Sequence, residues 1–322
     1  MDLKASIGQD ASLTFRGGRQ EITFGGARLV DVREGPNVRL SFDGGRVFYE
    51  SPALRIDAFG VAPVVAERGV FDDRSIGREA FPGKAFWGLY SVIPVGAVPG
   101  LHTDLYYLGL IREQAPYDSG VANERRHSLG ARFWGRAEAW DCDIEGVFQF
   151  GDFGSRNIRA WTVASNTGYT LASLWAEPRL GLQADVASGG GPGKTLKTFN
   201  PLFPKFAYFT EASINSPINF IDVFPSVTVQ PLKNFAFRVG VDVLWRYSIR
   251  DGFYQPPGVP LVPGSANKKR FLGPQSNLQA EWQATSHISV NAAYVHFLTK
   301  GFLQAAGAKD IDFLGLWASY KF

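Results

Sequence analysis

The sequence predicts an all-β fold, a transmembrane antiparallel up-and-down β-barrel of about fourteen strands. Three observations predict it. Segments of roughly ten residues alternate apolar and polar side chains with a period of two, the mark of strands half buried against an apolar medium. The connections are alternately tight and long, as in an even barrel with periplasmic turns and extracellular loops. No apolar run approaches the ~18–20 residues of a membrane helix, yet 14% of the 322 residues are aromatic and mean hydropathy is −0.08. A barrel hides its membrane signal in this way, because lipid-facing and lumen-facing residues average out along each strand.

Strands are predicted near 11–24, 45–51, 53–64, 85–95, 101–112, 126–136, 139–150, 157–171, 178–188, 217–230, 235–249, 276–285, 287–299 and 311–322. The tight turns are Ser51-Pro52-Ala53, Gly96 to Gly100, Ala137-Glu138, Ser173 to Glu177, Pro231 to Asn234 and Thr285-Ser286-His287. The loops are 25–44, 65–84, 113–125, 189–216, 250–275 and 300–310, with only 151–156 short. A soluble sandwich has no reason to keep its long loops at one end.

Register supports the reading. Pairing Ala284 with Ile288 sets Trp282 opposite Val290 on the lipid face and Glu281 opposite Asn291 on the lumen face, so both faces are satisfied together. In 139–150, Trp140, Ile144, Phe148 and Phe150 point outward and Asp141, Asp143, Glu145 and Gln149 inward. Its neighbour sends Leu129, Ala131 and Phe133 outward and Arg126, Arg132 and Arg136 inward. The first strand changes parity between Phe15 and Ile22, which predicts a bulge at Gly17-Gly18. Strands 85–95 and 101–112 are apolar on both parities and stay unoriented. In the last strand Leu314, Leu316, Ala318, Tyr320 and Phe322 share one face.

Fourteen strands at ~4.8 Å spacing and ~40° tilt close at a backbone radius of roughly 14 Å. Side chains alone do not fill that width, so either loops fold in or the lumen conducts freely. The single Cys142 excludes an internal disulfide framework and a Cys-based zinc site. A net charge of +3 is too weak to suggest nucleic acid, and Arg outnumbers Lys about two to one, a bias that suits planar recognition of carboxylate or phosphate. Met1-Asp-Leu-Lys-Ala lacks the charged and apolar regions of an export signal. An outer-membrane protein must be exported, so the sequence reads as a mature or truncated chain, one barrel domain over 1–322.

The chemistry is expected on the inward parity. Arg238, Asp242 and Arg246 alternate along 235–249, Arg55 and Asp57 share the inward face of 53–64, and Arg46 and Glu50 that of the strand before. Loop 25–44 adds Arg28, Arg33 and Arg39 beside Asp31, Glu34 and Asp43. Guanidinium groups in a narrow pore concentrate anions, while fixed carboxylates such as Asp143, Asp242 and Glu281 hold those forks in place. The same pairs also read as lumenal salt bridges that only satisfy polar groups.

Other motifs carry less. Ser188-Gly-Gly-Gly-Pro-Gly-Lys-Thr195 nearly spells a phosphate-binding loop, but it lacks the first glycine and the strand-loop-helix setting, and reads as a flexible extracellular loop. His102 with Asp104, and His127 with Ser128, suggest an outer-membrane hydrolase, yet alternation puts His127 and Ser128 on opposite faces and a triad must converge. His287 falls in a turn, and His296 on a separate strand. Asp141, Asp143 and Glu145 share a face that could hold a divalent ion, with Arg132 opposite favouring charge pairing. No cofactor and no metal site is expected.

The chain resembles the alginate-export family of outer-membrane barrels. The matching stretches are Gly18-Arg-Gln20, Pro36-Asn-Val-Arg39 with Ser41-Phe-Asp-Gly44, Phe86-Trp-Gly-Leu-Tyr90, Asp104-Leu-Tyr-Tyr-Leu-Gly-Leu110 and Arg126-His-Ser-Leu-Gly-Ala-Arg132. Further on come Ile158-Arg-Ala-Trp161, Arg179 to Gly189, Thr198-Phe-Asn-Pro-Leu-Phe203, Trp245-Arg-Tyr-Ser248 and Ala280-Glu-Trp-Gln283. The resemblance implies a passive conduit with an Arg-lined constriction for a polyuronate, here Arg19, Arg39, Arg46, Arg132, Arg238 and Arg246. It also implies about eighteen strands, so either part of the barrel is missing or this version closes with fourteen.

The function expected is therefore an outer-membrane pore for anionic saccharides or small anionic solutes, with an outer-membrane enzyme or a closed structural barrel as alternatives. The expected partners are an anionic polysaccharide or oligosaccharide, the lipid bilayer, lipopolysaccharide and, through the terminal aromatic Phe322, the outer-membrane assembly machinery.

Overall fold

The computed structural model describes residues 1–34, 39–65 and 84–321. Phe322, most of the predicted loop 65–84 and the segment from Pro36 to Val38 lie outside the described residues.

The strands are β1 (Asp2–Ile7), β2 (Ala11–Gln20), β3 (Phe42–Ser51), β4 (Leu54–Pro63), β5 (Ala85–Pro94) and β6 (Leu101–Tyr117). There follow β7 (Gly120–Ala137), β8 (Trp140–Phe153), β9 (Arg156–Thr170), β10 (Arg179–Ala187), β11 (Thr195–Leu196) and β12 (Phe220–Leu232). The chain ends with β13 (Phe235–Arg246), β14 (Phe253–Gln255), β15 (Val259–Val262), β16 (Phe271–Gln283), β17 (Ile288–Phe297) and β18 (Ile311–Tyr320). One helical turn, α1 (Gly301–Ala305), precedes the last strand.

Sixteen strands form one sheet in which each main strand pairs antiparallel with the next, from β1 to β18. β11 joins β9 in parallel off that path, and β14 with β15 makes a separate hairpin in the long connection between β13 and β16. The long connections 21–41, 188–219 and 247–270 therefore fall at one end of the sheet, together with the two-residue turns Asp118-Ser119 and Gly154-Ser155, and only short turns at the other. Among the described residues β1 and β18 each have one strand neighbour.

The alternation expected from the sequence is the alternation observed. Val47, Ile56, Leu89, Leu105, Leu129, Phe133, Ile144, Phe148, Leu182, Val223, Val239, Leu278 and Leu316 are all exposed, a continuous apolar band that is stable only against lipid. Trp140, Tyr169, Trp282 and Tyr320 mark its short-turn edge, and Trp87, Phe150, Trp245 and Phe271 its loop edge. Phe235 to Trp245 spans eleven residues of β13, and the steps between them, at ~3.3 Å each and the usual tilt, give a band about 25 Å tall.

The inward parity meets protein. Loop 21–41 and loop 188–219 enter the interior and pair with each other, Val30 bridging both Phe24 and Phe203. Phe24 stacks on Tyr90 at 4.6 Å, and Phe203 meets Phe86 and Phe42 edge-on at 5.0 and 5.2 Å. The same loops reach β8 through Arg28 and Asp143, β10 through Tyr208 and Asp185, and β16 through Glu211 and Gln279. Strands far apart in the sheet order thus surround one pair of loops, so the sheet curls around them and its core is their apolar contact with the wall. Of the two outcomes left open for a lumen of this width, loops fold in.

Several local expectations change. β1 is an additional strand, held to β2 by six register pairs and by Arg16 on Asp2; Leu3, Ala5 and Ile7 alternate with Asp2, Lys4 and Ser6 over only six residues, and the path holds more strands than the expected fourteen. The predicted loop 113–125 is not a loop. β6 and β7 run on to Tyr117 and from Gly120, because Arg112, Tyr117, Glu124 and Arg126 satisfy one another on the inward face. No bulge occurs at Gly17-Gly18, where β2 and β3 pair one-to-one through Gln20 and Phe42. The parity changes because the strand ends, and Ile22 and Phe24 turn into the core. β5 and β6 are now oriented, with Phe86, Tyr90, Tyr106 and Leu108 buried inside and Leu89 and Leu105 outside.

Candidate functional site

The inward face divides into two kinds of wall. Along β3 to β9 every buried charge has an opposite partner at contact. Arg46 and Arg55 both hold Asp57, at 2.6 and 2.9 Å, and Arg55 also holds Glu50. Arg132 reaches Asp104 at 3.0 Å and grips Asp143 with two bonds of 2.7 and 2.9 Å. Arg28 descends from loop 21–41 onto Asp143 and Glu145; its guanidinium is raised above its ordinary pKa, burial opposing while Tyr208, Asp143 and Glu145 hold the proton on. Tyr90 donates to Asp104 and Tyr106 to Glu145, both at 2.6 Å, and the two rings stack at 5.0 Å. Gly130 makes room for that stack, since a Cβ there would collide with the Tyr106 ring.

The wall from β10 to β16 is different. Register sets Asp185 opposite Asp222 and Asp242 opposite Gln275, yet none of these carboxylates is in an ion pair among the described residues. Both oxygens of Asp242, both polar atoms of Gln275, Asn277 Oδ1 and Arg238 Nε are buried without a partner. So are Thr210 Oγ1, Asn215 Oδ1 and Ser216 Oγ on the loop facing them. Buried polar atoms cost about 1–3 kcal/mol each when nothing bonds them, so such a stripe is made for polar company. Arg238 lies over Phe224 at 4.7 Å, with one long bond of 3.5 Å to Ser226. Half-buried Lys205 sits on Tyr208 at 5.8 Å; burial first, then Arg28, holds its ammonium below the usual lysine range.

The family model for alginate export matches residues 1–316. The chain belongs to the alginate export family. No curated protein matches it in sequence. Its fold is similar to crystal structures of Pseudomonas aeruginosa OccK11 (OpdR), at TM-score 0.58 and 13% identity over 97% of this chain and 77% of that one. It is likewise similar to Acinetobacter baumannii OccAB4, at 0.57 and 10% over 97% and 72%, and to Pseudomonas aeruginosa OpdK with vanillate, at 0.59 and 11% over 98% and 76%. Family, fold and apolar outer band together make this member of the alginate export family an outer-membrane β-barrel of the channel-forming kind.

Within this family member the ten residues singled out from sequence separate. Arg46, Arg55, Arg132 and Asp143 belong to the paired wall described above. Arg238 and Asp242 belong to the unpaired one. Arg246 is fully buried, donates to the carbonyls of Asp251, Asn267 and Lys269, and lies 3.5 Å from the Phe302 ring centre; it ties the long connection to the rim. Glu281 is exposed on the inward face near the short turns. Arg39 is exposed at the loop end on Glu21 and Glu34. Arg19 shares the parity of the exposed Leu13 and Phe15 and pairs with Asp43 at 3.0 Å, which puts it off the inward face: the one-to-one register leaves no bulge to turn it inward.

Asp185, Asp222, Lys205, Gln275 and Asn277 escaped the sequence reading. Strand parity could have found the four on strands, whereas Lys205 depends on where a loop folds. His127 faces outward among Tyr107, Trp87 and Phe150, Ser128 is buried inside, and Asp104 is taken by Tyr90, Arg132 and Trp134. The glycine run after Ser188 is a packed wall rather than a loose loop, for Gly190 N donates to buried Asp251 at 2.8 Å.

Proposed function

We propose that this channel passes anionic solutes by passive diffusion, among them saccharides bearing carboxylates, along the lumen face of β10 to β16. One observation carries the reading. Arg238 presents a guanidinium on the inward face that no carboxylate neutralises at contact distance among the described residues, and it stands in the stripe of polar atoms that lack protein partners. A fixed, unpaired guanidinium at a polar constriction favours anions over cations, and its planar fork suits a carboxylate. Lys205 adds positive charge from the loop opposite. The structural relative OpdK was solved with vanillate, itself a carboxylate.

Reversal potentials in a planar bilayer under a KCl gradient test it. The wild type prefers chloride, and Arg238→Gln lowers the anion-to-cation permeability ratio by at least about twofold while folding is unchanged. A cation-preferring wild type, or a ratio that ignores Arg238, overturns the proposal.

A further inference from the structure

A cavity with a charged lining lies not in the lumen but at its long-loop mouth. It measures about 670 Å³ and lies between Gly189–Lys197 on one side and Tyr247–Arg250 with Arg270 on the other. That volume is the size of a small-molecule site. Four cations line it, Lys194, Lys197, Arg250 and Arg270, and among the described residues no carboxylate does.

The cations are placed by the backbone around them. Arg250 Nη2 donates to the Pro192 carbonyl at 3.4 Å, and Arg270 Nη1 to the carbonyls of Arg246 and Tyr247. Carbonyls fix a guanidinium without cancelling its charge. The glycines bring the two walls together: a Cβ at Gly191 would lie 2.8 Å from the Arg250 side chain, and one at Gly190 2.8 Å from that of Lys197. Beneath them Asp251 is fully buried and takes Gly190 N, Thr198 Oγ1 and Tyr254 OH. Its carboxylate anchors the floor and leaves the cavity surface positive.

We infer that this mouth cavity binds a saccharide carrying two or more oxyanions, carboxylate or phosphate, held by Lys194, Lys197, Arg250 and Arg270. Two guanidinium forks and two flexible ammonium groups around a sugar-sized space match a multiply charged sugar better than a single small ion. The glycine run that nearly spells a phosphate loop thus serves an anion by close packing and side-chain charge. The inference goes beyond conduction, since it concerns capture at the mouth and not selection in the lumen.

Calorimetry on the full-length protein in detergent micelles tests it, with trigalacturonate, glucose 1,6-bisphosphate and the neutral trisaccharide maltotriose as probes. One or both charged sugars bind saturably, which of them binds telling carboxylate from phosphate sources, and the affinity falls with added salt as exposed charges are screened. The triple variant Lys194→Gln, Lys197→Gln, Arg250→Gln weakens that binding at least about tenfold with unaltered gel mobility of the folded form. Gly191→Val, which pushes the walls apart, weakens it as well. Equal binding of maltotriose, no binding of either charged sugar, or affinity unchanged in the triple variant overturns the inference. A wild-type mouth that binds while Arg238→Gln leaves ion selectivity untouched would sink the conduction proposal alone.

Discussion

The wall from β3 to β9 and the wall from β10 to β16 carry similar residues and use them in opposite ways. In the first, Asp57, Asp104, Glu124, Asp143 and Glu145 each meet one or two arginines at contact. In the second, Asp222, Asp242 and Arg238 face the same interior without contact pairing. The difference shows what arginine on the inward parity can mean. Paired, it is a tie that closes the interior against loop 21–41; unpaired, it is a charge presented to whatever passes. Counting lumen arginines therefore overstates the pore's positive field, because most of them are spent on carboxylates.

The largest test of this contrast removes one carboxylate from each wall. Glu124 is fully buried between Arg112 and Arg126, with Tyr117 and Asn200 also donating to it. Glu124→Ala strands two buried guanidiniums and is expected to cost about 3–5 kcal/mol, read as the shift in the unfolding midpoint in urea. Asp242→Asn, at a carboxylate that is in no ion pair among the described residues, is expected to change stability by less than about 1 kcal/mol and to raise anion preference. Comparable losses in the two variants would erase the distinction between the walls.

A smaller effect probes packing within the paired wall alone. Tyr106 covers Gly130 and donates a hydrogen bond to Glu145 while stacking on Tyr90. Gly130→Ala must shift that ring and break a buried hydrogen bond, a cost of about 1–3 kcal/mol. Gly146→Ala, where a Cβ meets nothing within 4 Å, serves as the control and is expected to be near neutral. Equal behaviour of the two alanines in the same unfolding assay would mean the Tyr106 stack is not tightly held.

How much of this was legible in the sequence follows from the range of the interaction involved. Alternation is local, so the strands, their faces and pairs such as Arg132 with Asp143 could be read directly. The hairpin at Asp118-Ser119 was hidden because Glu113, Gln114 and Pro116 look like loop residues until Glu124 is placed opposite Arg112. The plug was hidden for a stronger reason. Val30 touches Phe203, and Lys205 faces the lumen, only because two loops far apart in sequence meet inside the wall, and no periodic pattern encodes where a loop folds. For the same reason Arg246, on the inward parity like Arg238, could not be told apart from it until the carbonyls of its connection were in place.

The most delicate test uses pH, since the two loop groups that face the unpaired wall titrate in ways that reinforce each other. Lys205 is held below its ordinary pKa of 10.5 by burial and by Arg28. It loses its positive charge as pH rises through that lowered value, earlier than an exposed lysine would. Glu211 is held above its ordinary 4.5 by burial, with Glu281 adding to the effect and Lys205 opposing it. It gains its negative charge only as pH rises through that raised value. Both changes subtract positive charge on going up in pH, so anion preference is expected to be greatest in acid and to decline as pH rises, Glu211 contributing at the acid end and Lys205 at the alkaline end. Lys205→Met should abolish the alkaline step and leave the acid one, and Glu211→Gln the reverse. The expected changes are modest, because Arg238 stays charged throughout. A preference that rises with pH, or an alkaline step that survives in Lys205→Met, would place the selecting charge outside the loop facing β10 to β16 and return the comparison to the paired wall.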